Sequence, residues 1–113
     1  MAFLTNEEIE LKAQQLSEKH NCIVHPIVFN INEDEQILGF IKEPPRFVKL
    51  RVMDKGLTAP ATAAAEVVDG FLIKEESDVR IYDEKPENDK YYLGATMEAY
   101  NMITMAVNQF KKK

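Results

Sequence analysis

Apolar and polar positions recur along this chain with two different periods, and the changes of period mark out its elements. Ile9, Ala13 and Leu16 fall at i, i+4 and i+7 while Glu10, Lys12, Gln14 and Glu18 occupy other faces, the pattern of an amphipathic helix. Thr5-Asn6-Glu7-Glu8 marks its start as a capping box: the Thr5 hydroxyl accepts from the Glu8 amide and the Glu8 carboxylate reaches back, with Leu4 and Ile9 at staple spacing. His20 and Asn21 suit its end, the first by complementing the helix dipole and the second by tolerating the left-handed conformation. From Cys22 to Ile31 the chain turns rich in β-branched residues over a span too short for a helix, which predicts a strand, with Pro26 placing it at an edge. The polar run Asn32-Glu33-Asp34-Glu35-Gln36 predicts a turn, and Ile37 to Lys42 the returning strand of an antiparallel hairpin.

The second half reads as helical. Pro44-Pro45 ends the strand and opens a short helix to about Lys55, with Phe47, Val48, Leu50, Val52 and Met53 as its apolar positions. Gly56 breaks it, and Thr58-Ala59-Pro60 starts an Ala-rich helix from Ala61 to Asp69 with Gly70 as its C′ residue. The stretch from Phe71 to Tyr82 has two readings: Val79-Arg80-Ile81-Tyr82 alternates like a short strand, whereas the acidic residues from Glu75 to Asp89 look like a solvated loop. A final helix from about Asp89 to Lys111 carries one apolar stripe of Tyr92, Ala95, Ala99, Met102, Ile103, Ala106 and Phe110. A second runs through Leu93, Met97, Tyr100 and Val107. A helix apolar around most of its circumference is either central in the fold or covered by a partner, and both readings stand. The expected fold class is α+β: an N-terminal helix, an antiparallel β-hairpin and a helical C-terminal half ending in a long helix, in a single domain over 1–113.

Composition narrows the function classes. A chain of 113 residues has room for one modest core and excludes a two-domain enzyme. One cysteine, Cys22, forbids an intrachain disulfide and fits a reducing compartment. The net charge of −5 disfavours nucleic acid and anionic membranes as partners, and no apolar run is long enough to span a bilayer. The opening residues lack the pattern of a secretory signal, so the expected location is the cytoplasm.

Candidate chemistry is sparse. His20, Cys22 and His25 are the one gathering of metal-ligand types, but residues three apart on a strand face opposite ways, so Cys22 and His25 cannot share an ion or act as a nucleophile and base. Asn30, Asn32, Asp34 and Gln36 alternate like a calcium loop, yet Glu35 stands where that loop needs Gly and Ile41 where it needs Glu. The four glycines are scattered and build no phosphate-binding loop. No cofactor, no metal and no catalysis are therefore expected. Lys42, Arg46, Lys49, Arg51 and Lys55 form the single basic cluster, opposed in that span by Glu43 and Asp54 alone. Nucleic-acid contact is one reading of it; charge-complementary contact with the acidic 75–89 segment, within the chain or from a neighbour, is another.

The run Gly39-Phe40-Ile41-Lys42-Glu43-Pro44-Pro45-Arg46 follows an acidic hairpin turn and precedes two helices, an acidic connector and a Lys-ended final helix. In that order of elements the chain resembles the tail assembly chaperones of phages and prophages. Its proline is doubled, and Asp69-Gly70-Phe71-Leu72-Ile73 stands where relatives often carry a Cys-Trp-Leu-Gly-Gly stretch. The resemblance implies a noncatalytic role in which several copies coat the apolar helices of a tape-measure-type protein until tail tube subunits displace them. The implied partners are phage tail proteins and copies of this chain. Tyr92, Met97, Tyr100, Met102, Met105 and Phe110 are the candidate partner-binding residues, a Met- and aromatic-rich set able to repack around varied apolar sequences, and Lys42, Arg46 and Lys49 the candidate charged contacts. A structural component of a phage particle, or another kind of interaction domain, is the alternative.

Overall fold

The computed structural model describes residues 4–55 and 58–111, with side chains up to 104. Its elements follow one another as α1 (Asn6–His20), β1 (Val24–Phe29), β2 (Ile37–Lys42), α2 (Arg46–Lys55), α3 (Pro60–Phe71), α4 (Val79–Tyr82) and α5 (Asp89–Lys111). The fold is α+β, as the periodicity predicts.

Local chemistry accounts for the first half. Both bonds of the capping box are present at α1, from the Glu8 amide to Thr5 Oγ1 at 3.2 Å and from the Thr5 amide to Glu8 Oε1 at 2.9 Å. These bonds hold the Glu8 carboxyl below its ordinary value. Asn21 closes the helix in the left-handed conformation, with φ 55°. Ser17 then ties helix to strand: its hydroxyl donates to the Ala13 carbonyl at 2.9 Å and accepts from the Val24 amide at 2.9 Å.

β1 and β2 pair antiparallel with Ile27 opposite Gly39 and Pro26 opposite Phe40. The main chain of Phe40 points away from β1, its amide donating to Ser77 Oγ and its carbonyl accepting from the Ile73 amide. Pro26 therefore sits at a position where its missing amide costs the ladder nothing. The outer edge of β2 is occupied by the 72–78 segment, through a bridge between Ile41 and Leu72 and a bond from the Asp78 amide to the Leu38 carbonyl at 2.9 Å. Side chains alternate across the hairpin as the pleat requires. Phe40 and Val24 enter a small core with Ala13, Leu16 and Ile73, while Ile27, Ile37 and Ile41 enter the main core with α3 and α5. The hairpin is thus a wall between α1 on one face and the C-terminal helices on the other.

The C-terminal half departs from expectation in three places. Gly70 is not a C′ residue: α3 runs through it to Phe71 and closes when the Leu72 amide bonds the Val68 carbonyl at 3.2 Å. Phe71 and Leu72 are drawn against the main core, which extends the helix past the predicted stop. Val79 to Tyr82 is a helical turn rather than a strand, because the Asp78 carboxylate accepts from the Arg80 amide at 3.0 Å and caps it. In α2 only Val52 is fully buried and Val48 partly so, leaving Phe47, Leu50 and Met53 outside. The predicted break at Gly56 lies outside the described residues.

One polar cluster locks these layers together. The Arg80 guanidinium donates to Asp78 from Nε at 3.0 Å and Nη2 at 2.8 Å, donates to Glu35 from Nη1 at 2.9 Å, and lies 4.5 Å from the centre of the Tyr91 ring. Tyr91 donates its hydroxyl to the same Glu35 oxygen at 3.0 Å, and Asn32 donates to the other at 3.0 Å. The hairpin turn, α4 and the first turn of α5 are thereby joined. Hydrogen bonds from Asn32 and Tyr91, with the charge of Arg80, hold Glu35 below its ordinary value. Bonds from Arg80 do the same for Asp78, and Arg80 is pushed upward in turn.

At Gly94, α5 runs close against the Phe29 ring of the hairpin. A Cβ at Gly94 would lie 2.4 Å from a ring carbon of Phe29. Gly94→Ala is therefore expected to destabilise the fold by about 1–3 kcal/mol despite the gain in helix propensity. Denaturant unfolding of Gly94→Ala, Phe29→Leu and the double variant tests this, with the smaller side chain recovering part of the loss. For the Arg80 cluster, the folded carboxyls titrate below their unfolded values, so their contribution is complete above about pH 4 and is lost as pH falls further. The stability gap between the wild type and Arg80→Gln is expected to be widest near neutrality and to close in acid; a gap independent of pH would remove the electrostatic account.

Candidate functional site

The predicted binding residues of α5 do not share one face. Tyr92 is half-buried, packs against the main core and donates its hydroxyl to Asp69 at 3.0 Å. Met102 also packs against the main core. Met97 stands on the other side, 63% exposed, with Leu93 at 57% one turn before it and half-buried Tyr100 along the same stripe. The tyrosine at the centre of the core is Tyr91 rather than Tyr92, followed by Ala95, Ala99 and Ile103 at helical spacing. Met105 and Phe110 lie outside the residues whose side chains are described. The final helix therefore has both characters: a buried arc through Tyr91, Ala95, Ala99 and Ile103, and an open apolar arc through Leu93, Met97 and Tyr100 on the opposite side.

A second open face was not singled out by the periodicity. On α2, Phe47 is 64% exposed, Leu50 52% and Met53 46%, and this stripe lies opposite the inward pair Val48 and Val52. The signal was available in the spacing. Phe47, Leu50 and Met53 are separated by three residues each, Val48 and Val52 by four, and the two sets fall on opposite sides of a helix.

The basic cluster is placed around this stripe and finds its partners locally. Lys49 Nζ pairs with Glu43 at 3.2 Å, and Glu43 also meets His25 Nε2 at 3.2 Å. Arg51 and Lys55 both reach Glu66 on α3, at 3.7 and 2.7 Å, which holds the Glu66 carboxyl below its ordinary value. The 75–89 segment supplies none of these partners. Lys42 and Arg46 form no ion pair among the described residues, and Arg46 is exposed at the first position of α2.

An open cleft of about 640 Å³ lies beside the core, floored by Val68, Leu72 and Ile81, walled by Tyr82 and Tyr92 and rimmed by Asp69, Asp83, Glu84 and Asp89. Lys74 also lines it and sits 5.7 Å from the centre of the Tyr82 ring. Asp83 accepts from Asn88 Nδ2 at 3.2 Å, and Asp69 accepts from Tyr92, so two of the four rim carboxylates are engaged in positioning the chain. Among the described residues no group of three His, Cys, Asp or Glu side chains is arranged to hold a metal ion. No described helix is long and apolar enough to cross a membrane.

No protein-family profile, curated protein or solved structure matches the chain.

Burial, the hydrogen bond to Asp69 and the negative charge of that acceptor push the Tyr92 phenol up to about 12. Its folded value exceeds the unfolded value near 10, so its contribution to stability is complete below about pH 10 and is lost as pH rises through the folded value. Titration followed by phenolate absorbance is expected to lose a late component in Tyr92→Phe and to show that component moved part of the way down in Asp69→Asn. An unchanged profile in both variants would show that Tyr92 is not so held.

Proposed function

We propose that this chain is a noncatalytic helix-binding protein of the tail assembly chaperone kind, which covers apolar helices of a tape-measure-type protein before assembly. The observation that carries the reading is that α2 and α5 each present large apolar side chains on the side opposite their buried face. Scattered exposed apolar residues are ordinary, but a stripe at helical spacing is the surface against which another helix packs. Met53 and Met97 sit in these stripes, and methionine's unbranched, polarisable side chain adapts to partners of differing sequence. The resemblance in the order of elements, with the Gly39 to Arg46 run entering α2, is what supports the phage and prophage tail part of the reading. In this reading Met97 and Tyr100 contact the partner directly, Arg46 contributes charge at the edge of the contact, and Tyr92 and Met102 shape the helix from within. Its place of action is the cytoplasm, where unassembled tail proteins accumulate.

Co-expression with a tape-measure-type protein from the same genome tests the proposal. A soluble complex is expected, with Met97→Asp or Leu50→Asp lowering its yield at least several-fold while leaving the free chain folded. Absence of both a complex and any gain in the partner's solubility would remove the reading. Recovery of the chain from purified particles would favour a structural component instead.

A further inference from the structure

The cleft beside the core joins an apolar floor to a negative rim, a combination found on neither open stripe. Val68 and Ile81 are buried members of the main core and Leu72 packs against it, so the floor is held in place by the fold itself. Tyr82 and Tyr92, both half-buried, stand as its walls. At about 640 Å³ the space has the size of a small-molecule site, which runs from about 300 to 1,000 Å³. Two sources make the rim negative. Asp69, Asp83, Glu84 and Asp89 surround it, and α3 ends there with Asp69 close to its last turn and no basic residue to offset the negative pole of the helix. Asp69 is engaged by Tyr92 and Asp83 by Asn88, whereas Glu84 and Asp89 are exposed and form no ion pair among the described residues. Lys74 is the cation among the described lining residues. Its ammonium lies 5.7 Å from the centre of the Tyr82 ring, within cation–π range, and on no carboxylate. The Tyr82 wall thus already receives an ammonium carried on a four-carbon chain.

We infer that this cleft binds an aliphatic amine, its hydrocarbon chain on Val68, Leu72 and Ile81 and its ammonium against the Tyr82 ring and the Glu84 and Asp89 carboxylates. Other ligand classes suit the lining less well. A metal ion needs several ligands converging on one point, and among the described residues no three carboxylates are so arranged. An anion meets like charge around the rim, and a neutral apolar ligand leaves that rim without a counter-charge. An alkylammonium ion, charged throughout the neutral range, uses floor, wall and rim together. Lys74 is exposed and tied by no ion pair among the described residues, so it yields the ring to an incoming amine as a weak resident competitor. A free diamine and the side chain of a lysine on another protein present the same chemistry. None of the lining residues belongs to α2 or to the Leu93, Met97 and Tyr100 stripe, so the site is independent of the helix partner proposed above.

Calorimetric titration of the purified chain at low salt tests this, with 1,4-diaminobutane, the amide of Nα-acetyl-lysine, 1,4-butanediol and magnesium chloride as separate ligands. Saturable binding of one amine per chain is expected, at least ten-fold tighter than the diol of equal length and not matched by magnesium. Binding of the diamine assigns the site to free amines; binding of the lysine amide alone assigns it to a basic side chain of a partner. The double variant Glu84→Gln, Asp89→Asn is expected to weaken binding at least five-fold, and Tyr82→Leu to weaken it as well. Lys74→Gln removes the competitor and is expected to strengthen it several-fold. Glu10→Gln with Glu33→Gln, an equal loss of charge on α1 and the hairpin turn, is expected to leave it unchanged, with circular dichroism the same throughout. No saturable binding of either amine, or equal binding of diol or magnesium, would overturn the inference. So would a loss in the control variant as large as that in the Glu84 and Asp89 variant, or weaker binding in Lys74→Gln. Loss of the tape-measure-type complex with amine binding intact would remove the assembly reading alone.

Discussion

A two-stranded hairpin cannot stand by itself in water, and in this protein the requirement to cover it on every side organises everything else. Phe40 and Ile41 are neighbours on β2, point to opposite faces and are both fully buried. One face needs α1, which brings Ala13 and Leu16 to Phe40; the other needs α3 and α5, which bring Val67, Ala95 and Ala99 to the Ile41 side. The outer edge of β2 needs hydrogen-bond partners as well. These come from a segment with no strand of its own: Ile73, Ser77 and Asp78 satisfy Phe40 and Leu38 in passing. With its outward edge so occupied, β2 cannot recruit a third strand from another molecule, and Pro26 interrupts the donors on the outer side of β1.

That constraint explains why the acidic connector is ordered. Residues 72–78 are fixed by β2, so Asp78 is placed to cap α4, and α4 presents Arg80 to Glu35 across the hairpin turn. Tyr91 completes the cluster from α5 with its hydroxyl on Glu35 and its ring under the guanidinium. Each carboxylate has a cation or a hydrogen-bond donor, which is the condition under which partly buried charges cease to be a liability. The cluster also fixes the rotation of α5, since Tyr91 inward means Leu93 and Met97 outward.

How much of this could be read beforehand followed the range of the interactions. Thr5, Glu8 and Asn21 act within four residues of themselves, and the ends of α1 were legible from them. Alternation and turn residues likewise placed β2 at Ile37–Lys42. The misreadings involve partners far along the chain. Gly70 signals a stop locally, but Phe71 and Leu72 gain more by packing on the core than the helix loses by continuing. Val79 to Tyr82 alternates like a strand only if the cap from Asp78 is ignored, and that cap is in place because Asp78 itself is held by Leu38. Tyr91 and Tyr92 are adjacent and chemically alike; the choice between them is made by Glu35, 56 residues earlier. The two open stripes follow from spacing alone, but deciding which stripe faces the core needs the neighbours of each helix.

The sizes of the side chains on α5 give the open stripe its meaning. Where α5 crosses α3 and the hairpin, its inward residues are Gly94, Ala95 and Ala99, and those of α3 include Ala63 and Ala64. Small residues let backbones approach closely and leave no volume for larger ones, as the seating of Phe29 on Gly94 illustrates. The larger apolar residues of the same turns, Leu93 and Met97, face outward. A helix serving its own core alone would gain about 1.5–3 kcal/mol for each such side chain turned inward and would carry polar residues outside. The distribution here is the reverse over the middle of the helix, and α2 repeats it, with Val48 and Val52 inside and Phe47, Leu50 and Met53 outside. Both helices thus keep large apolar side chains on the side away from the core, where the packing of the fold makes no use of them.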